Sequence, residues 1–233
     1  MRLYQFANDG SSLIPWHCTP LGGAIPAALA SFMGKLLVGC GKSLRLMECG
    51  RQRLLRKCEF QGLPNLVTSI FTQGYRVYVG DSHESFHFMR YRKHDNSFYI
   101  FADDFSPRCV SSGSASFFSF PVQHCSVSEA LSVIVVCTMA RAVMWLYRYL
   151  SCSLHLDYDT MAGADKFGNL CVVRIPQDMS RIVEDDPTGG KSAAINGKLN
   201  SAPHKLEAIV NFHAGDLIMS LQLCSLQQGG QEV

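Results

Sequence analysis

The sequence predicts an all-β fold: an incomplete β-propeller of about four blades, carrying an apolar insertion that is partly helical or disordered. Three observations predict it. Runs of four to seven residues rich in Val, Ile, Tyr and Phe are bounded by Gly, Asp and Asn. The pattern repeats, with Gly39 and Gly80 separated by 41 residues, the length of one four-stranded blade. Charge is also unevenly spread: residues 111–154 hold three charged side chains in 44 positions, and the other 189 hold 37.

Taken in order, Lys35-Leu36-Leu37-Val38 is a strand that ends at Gly39-Cys40-Gly41. Ser43-Leu44-Arg45-Leu46-Met47 is the next, followed by a turn at Glu48-Cys49-Gly50 and a strand from Arg53 to Cys58. Val67-Thr68-Ser69-Ile70-Phe71 turns at Gln73-Gly74, and Arg76-Val77-Tyr78-Val79 turns at Gly80-Asp81. Two aromatic strands follow, Ser85 to Tyr91 and Ser97 to Phe101. A third copy of the glycine-ended strand is Thr160-Met161-Ala162-Gly163, followed by Lys166 to Val173. No such unit buries both of its faces alone, so neighbours must stack.

Gly80 to Gly163 is 83 residues, about one blade more than the period. Residues 111–154 account for the excess. A membrane-spanning helix needs about 20 apolar residues, whereas Leu131 to Ala140 supplies ten before Arg141 and the next run breaks at Arg148. A buried amphipathic helix over 128–150 is a second reading. The third is an insertion foreign to the fold, such as a retained intron would encode, and the match in length favours it. The expected organisation is propeller blades over 1–110, insertion over 111–154, further blades over 155–223 and a tail over 224–233.

Composition excludes several function classes. A formal charge of +2 leaves no polybasic tail. The ten cysteines form no Cys-x-x-Cys pair, and no Asn-x-Ser/Thr acceptor occurs, so zinc knuckles and a secreted disulfide framework lack support. Met1 to Gln5 leads into Asn8-Asp9-Gly10 rather than an apolar run, so reduced cysteines in the nucleus or cytosol are expected.

Chemical motifs are few. His83-Glu84-Ser85-Phe86-His87 has the zincin spacing, which makes a zinc metalloprotease at His83, Glu84 and His87 the remote alternative. That chemistry needs a helix to bring both imidazoles to one ion. On a strand they lie roughly 13 Å apart. Gly41-Lys42-Ser43 and Gly190-Lys191-Ser192 end like phosphate loops, but Leu36 and Asp185 stand where the first glycine is required. Asp103-Asp104 and the pair Asp157 and Asp159 read as strand-end turn residues. The remaining candidates are basic: Arg51, Arg53, Arg56 and Lys57 on one segment, and Arg90, Arg92 and Lys93 around Tyr91 on another. Cations interleaved with an aromatic neutralise phosphates and stack bases, while the plainer reading is a charged strand edge that blocks unwanted pairing.

Several longer stretches carry a resemblance. Gly34-Lys-Leu-Leu-Val-Gly-Cys-Gly-Lys42, Arg53-Leu-Leu-Arg-Lys-Cys-Glu59, Glu84-Ser-Phe86, Ile100-Phe-Ala-Asp-Asp104 and Asp157-Tyr-Asp-Thr-Met-Ala-Gly-Ala-Asp-Lys-Phe-Gly-Asn169 are similar to the splicing factor 3b subunit 3 family. So are Glu184 to Lys191, Gly197 to Asn200 and the segment from Phe212 to Asp216. Related families serve in transcript cleavage and polyadenylation and in DNA-damage recognition, which supply the alternative function. In the family, Ser106-Pro107-Arg108 runs almost directly into Asp157, with Trp where Cys109 stands, so the resemblance puts the insertion where the repeat does. It implies a nuclear, non-enzymatic scaffold in pre-mRNA splicing with no cofactor and no small-molecule substrate. The implied partners are other splicing factor 3b subunits and the branch-site small nuclear ribonucleoprotein, with RNA contact added and no membrane.

Overall fold

The computed structural model describes residues 1–7, 11–22, 25–50, 53–104, 109–110, 131–139, 149–186 and 202–226. The elements are β1 (Arg2–Phe6), β2 (Leu13–Cys18), β3 (Pro26–Phe32), β4 (Lys35–Cys40), β5 (Ser43–Cys49), β6 (Leu54–Phe60), β7 (Val67–Gln73), β8 (Arg76–Asp81), β9 (Ser85–Arg92) and β10 (Ser97–Asp104). They continue as β11 (Cys109–Val110), β12 (Leu131–Met139), β13 (Tyr149–Asp157), β14 (Thr160–Asp165), β15 (Asn169–Arg174), α1 (Gln177–Asp185), β16 (His204–His213) and β17 (Leu217–Leu226).

Three antiparallel four-stranded blades emerge: β3-β4-β5-β6, β7-β8-β9-β10 and β13-β14-β15-β16. Two partial sheets flank them, β1-β2 and β12-β17. Several hairpins turn at Gly, including those after β3, β4, β7 and β14. Met33 and Gly34 both take positive φ, 50° and 72°, the geometry of the two-residue turn whose twist matches its strands.

Alternation along each strand explains the stacking. In β8, Val77 and Val79 face the first blade's Phe32, Leu37, Leu44 and Leu46. Tyr78, between them, faces the third blade with Phe86, Phe88 and Phe101, against Leu150, Met161, Cys171 and Val173. The second blade is therefore buried on both faces, as the inability of one unit to bury itself requires. The outer face of the third blade packs Cys152, Ala162, Ala164, Leu170 and Val172 on Ile218 and Leu221 of β17. That of the first packs Val38, Cys40 and Met47 on Leu21, with Leu3 of β1 alongside.

Gly39 shows why the repeat carries glycine. A Cβ there would lie 2.5 Å from Val67 Cγ1, on the first strand of the next blade, so the side chain is omitted to let two sheets close. Blades two and three also share a ladder: β10 pairs in parallel with β16 through Ala102–His204, Asp103–Lys205 and Asp104–Leu206.

The stretch set apart by its composition is strand where it is described. The helix reading of 128–150 does not hold over 131–139 or 149–150, which are extended. Five of the nine residues of β12 are β-branched, a composition that favours the pleated form. β13 opens at Tyr149, so 149–154 lie in a blade strand, with Leu150 and Cys152 in the core. Cys18, Cys40, Cys49, Cys58, Cys152, Cys171 and Cys224 form no disulfide, and among the described residues no helix is long and apolar enough to cross a membrane.

Candidate interaction site

Among the described residues, the densest polar cluster sits where the second blade, the third blade and α1 meet. Arg76 opens β8, and its side chain is fully buried. Its Nη1 donates to Asp159 Oδ1 at 2.7 Å and to the Tyr158 carbonyl at 3.0 Å. Its Nε donates to Glu184 Oε1 at 3.0 Å and its Nη2 to Ser180 Oγ at 2.8 Å. The guanidinium carbon lies 3.9 Å from the Tyr158 ring centroid and 5.1 Å from that of Phe101. Burial pulls Arg76 down, while Asp159, Tyr158 and Glu184 more than offset it and leave it above its ordinary value. Tyr78 donates to the same Tyr158 carbonyl at 2.6 Å, and burial pushes its phenol well up.

α1 is positioned by this cluster. Pro176 precedes its first turn with φ −54°, a value suited to starting a helix, and Asp178 lies in that turn. Ser180 and Val183 face inward, while Met179 and Ile182 are exposed. Glu184 lies at the helix C-terminus, where a carboxylate opposes the dipole. Arg76 and Arg90 compensate: Arg90 holds Glu184 Oε2 at 2.8 Å and donates to the Val183 carbonyl. Tyr158 adds its hydroxyl to Glu184 at 2.8 Å.

The sequence-derived cations are mostly turned to internal partners. Arg56 meets Glu59 at 2.5 Å, and Arg45 meets the same carboxylate at 2.8 Å. The Arg45 hydrogen bond holds Glu59 below its usual range. Lys57 meets Glu48 at 2.6 Å and lowers it in the same way. Arg90 is committed to α1. Arg92 lies 3.5 Å from Asp95 and 5.2 Å from the Tyr99 ring centroid. Arg53 and Lys93 are exposed, and Arg51 lies outside the described residues. The two basic segments do adjoin, because Asn96 Nδ2 on the turn after Lys93 donates to the Lys57 carbonyl at 2.8 Å, but Glu59, Glu48 and Asp95 pair Arg56, Lys57 and Arg92 there.

The His83-to-His87 motif is a hairpin. Asp81, at the end of β8, accepts from the backbone amides of His83 and Glu84 at 2.8 and 3.2 Å. His83 is on the turn with Ser82 beside it, and His87 is buried in β9. The helix that zincin chemistry needs is absent from this segment, because Asp81 and the strand pairing of Gly80 with Phe86 make it a β-turn. Among the described residues, no group of three His, Cys, Asp or Glu side chains is placed to hold a metal.

Four-stranded antiparallel sheets stacked face to face around shared apolar cores define a β-propeller protein. The sequence matches the family described as CPSF A subunit region over residues 1–119 and 122–233, and the chain belongs to that family. It is 44% identical over 232 residues to "Spliceosome-associated protein 130 A" of Arabidopsis thaliana, covering 100% of this chain and 16% of that protein. It is 40% identical over 233 residues to "Probable splicing factor 3B subunit 3" of Dictyostelium discoideum, covering 100% and 15%. Against "Splicing factor 3B subunit 3" of Danio rerio, identity is 40% over 229 residues, covering 98% and 15%. The chain thus spans about a sixth of the length of these relatives.

Proposed function

We propose that the chain serves as a non-enzymatic scaffold segment in pre-mRNA splicing, working in the nucleus through protein contacts. The observation that carries this reading is identity of 40–44% along nearly the whole chain to proteins named for splicing. The site chemistry agrees with it. The densest polar cluster is spent on tying blades and helix together, with Arg76 fully buried inside it. The partners proposed are other splicing factor 3b subunits and the branch-site ribonucleoprotein. Affinity purification of the tagged chain from nuclear extract tests the proposal. Recovery of those subunits supports it. Recovery of cleavage and polyadenylation components instead favours the second reading, which the family description motivates.

RNA contact is the finer part of the proposal, resting on Arg53 and Lys93, with Arg51 close to Arg53 in sequence. Filter binding to intron-like RNA at two salt concentrations tests it, because phosphate contacts make affinity fall with salt. Residues 111–148 are proposed to interrupt the succession of blades, since 149–154 already belong to β13 of the third blade. Gly39, Gly80 and Gly163 lie on the second strands of successive blades, and the excess length falls between the last two. Sequencing transcripts across the segment distinguishes a retained intron from a uniformly spliced exon.

A further inference from the structure

We propose that β12 is a donated strand: Leu131–Met139, supplied from upstream in the chain, fills the second-strand place of the blade that β17 opens. The complete blades define that place. In each, the first strand pairs antiparallel with the second: β3 with β4, β7 with β8 and β13 with β14. β17 occupies a first-strand position. It follows the last strand of the third blade, and its Ile218 and Leu221 pack on that blade's outer face. Ser151 of β13 donates its hydroxyl to the Ile218 carbonyl, much as Thr72 of β7 donates to Ser31 of β3 at 2.8 Å between the first two blades.

β12 then pairs antiparallel with β17 from Leu131–Leu226 to Met139–Leu217, with one shift between Cys137 and Thr138. In the other blades the partner is the next strand in sequence. Here it comes from the segment that the repeat leaves unaccounted for. Both sequences fit an edge-to-edge meeting. Leu-Ile-Met-Ser-Leu-Gln-Leu-Cys-Ser-Leu in β17 has no charge or proline to guard its edge, and an unguarded ten-residue edge invites pairing. Leu-Ser-Val-Ile-Val-Val-Cys-Thr-Met in β12 has no charge, Gly or Pro and is rich in β-branched residues. A chain that carries 131–139 therefore covers the β17 edge with its own strand. Any other strand that would pair with that edge of β17, whether from a longer chain or from a partner, must first displace it.

The register supplies the test, using the full chain. Val133 is the Cα partner of the native Cys224, and Ser132 is the partner of Ser225. Adjacent cross-strand pairs alternate between wide and close spacing, and the close one suits a disulfide. Mild copper–phenanthroline oxidation of Val133→Cys, and of Ser132→Cys with Ser225→Cys, is expected to give a 133–224 or a 132–225 cross-link in peptide mass maps. Neither cross-link exceeding its yield in urea overturns the proposal. Independently, Val135→Pro with Val136→Pro is expected to speed amide exchange in β17 about tenfold or more while β8 and β9 keep their protection. Unchanged β17 exchange overturns the proposal. If that variant does not fold, the cross-links alone decide.

Discussion

The two joints of the second blade are built differently. Towards the first blade the contact is apolar and close: Val67, Ile70, Val77 and Val79 meet Leu37, Leu44 and Leu46, and Gly39 has no side chain so that Val67 can approach. Towards the third blade there is an aromatic core, and at its rim a guanidinium buried among two carboxylates, a serine and two rings. The first joint depends on shape with neutral hydrogen bonds such as Thr72 to the Ser31 carbonyl at its margin, and the second depends on shape plus a fully partnered charge. Shape tolerates small changes at moderate cost, whereas a buried charge network fails when one member is lost.

That contrast is open to attack in order of expected effect. Arg76→Met should be the most damaging change, costing about 3 kcal/mol in urea unfolding. This is the low end for a broken buried pair, because Asp159 and Glu184 keep 23% and 35% exposure. Adding Glu184→Gln and Asp159→Asn should recover part of the loss, since stranded carboxylates are its cause. Gly39→Ala should cost about 1–3 kcal/mol. Val67→Ala in the same chain should relieve much of that, giving a non-additive cycle.

Acid should act through the second joint. His155 is stacked on Phe71 and tilted against Tyr78, 6.5 and 4.5 Å between ring centroids, and burial lowers it below its ordinary value. A base depressed in the folded state contributes stability above its unfolded pKa, about 6.5, and that contribution is lost as pH falls through the folded value. His155→Phe should flatten the fall in melting temperature below about pH 6.5. The smallest effect belongs to the outer edge. Arg56→Ala removes a pair whose arginine is 58% exposed, so it should change stability by less than about 1 kcal/mol. Its effect on RNA retention in filter binding should also be slight, because Glu59 already neutralises it.

Much of the blade architecture was legible in the sequence because its cause is local. β4, β5, β7, β8, β9, β10, β14 and β15 are short apolar or aromatic runs, most of them bounded by Gly, Asp or Asn, and these signals lie within a few residues of one another. α1 was not recognised. It has nine residues, too few for its period to stand out, although Pro176 before it and Asp178 in its first turn are start signals. The central site was hidden for another reason. Arg76 reaches Asp159 and Glu184, 83 and 108 residues away in the chain, and nothing near Arg76 marks it as buried. Tyr91 and Arg92 beside it make Arg90 read as a contact for RNA, but its partner Glu184 lies on α1. Spacing identified His83 and His87, while the backbone decided their geometry: Asp81 makes a turn there, and no helix forms.

The parallel pairing of β10 with β16 has a mechanical consequence. It joins the second and third blades in one hydrogen-bonded ribbon, while the first blade forms a separate sheet. Under tension applied along the chain, the first blade can slide off as a unit without breaking a shared ladder. Pulling the third blade from the second must rupture backbone bonds and the Asp103–Lys205 bridge across them together. A force trace should therefore show an early, soft event for 26–60 and a later, stiffer one for the blades on either side of Asp103.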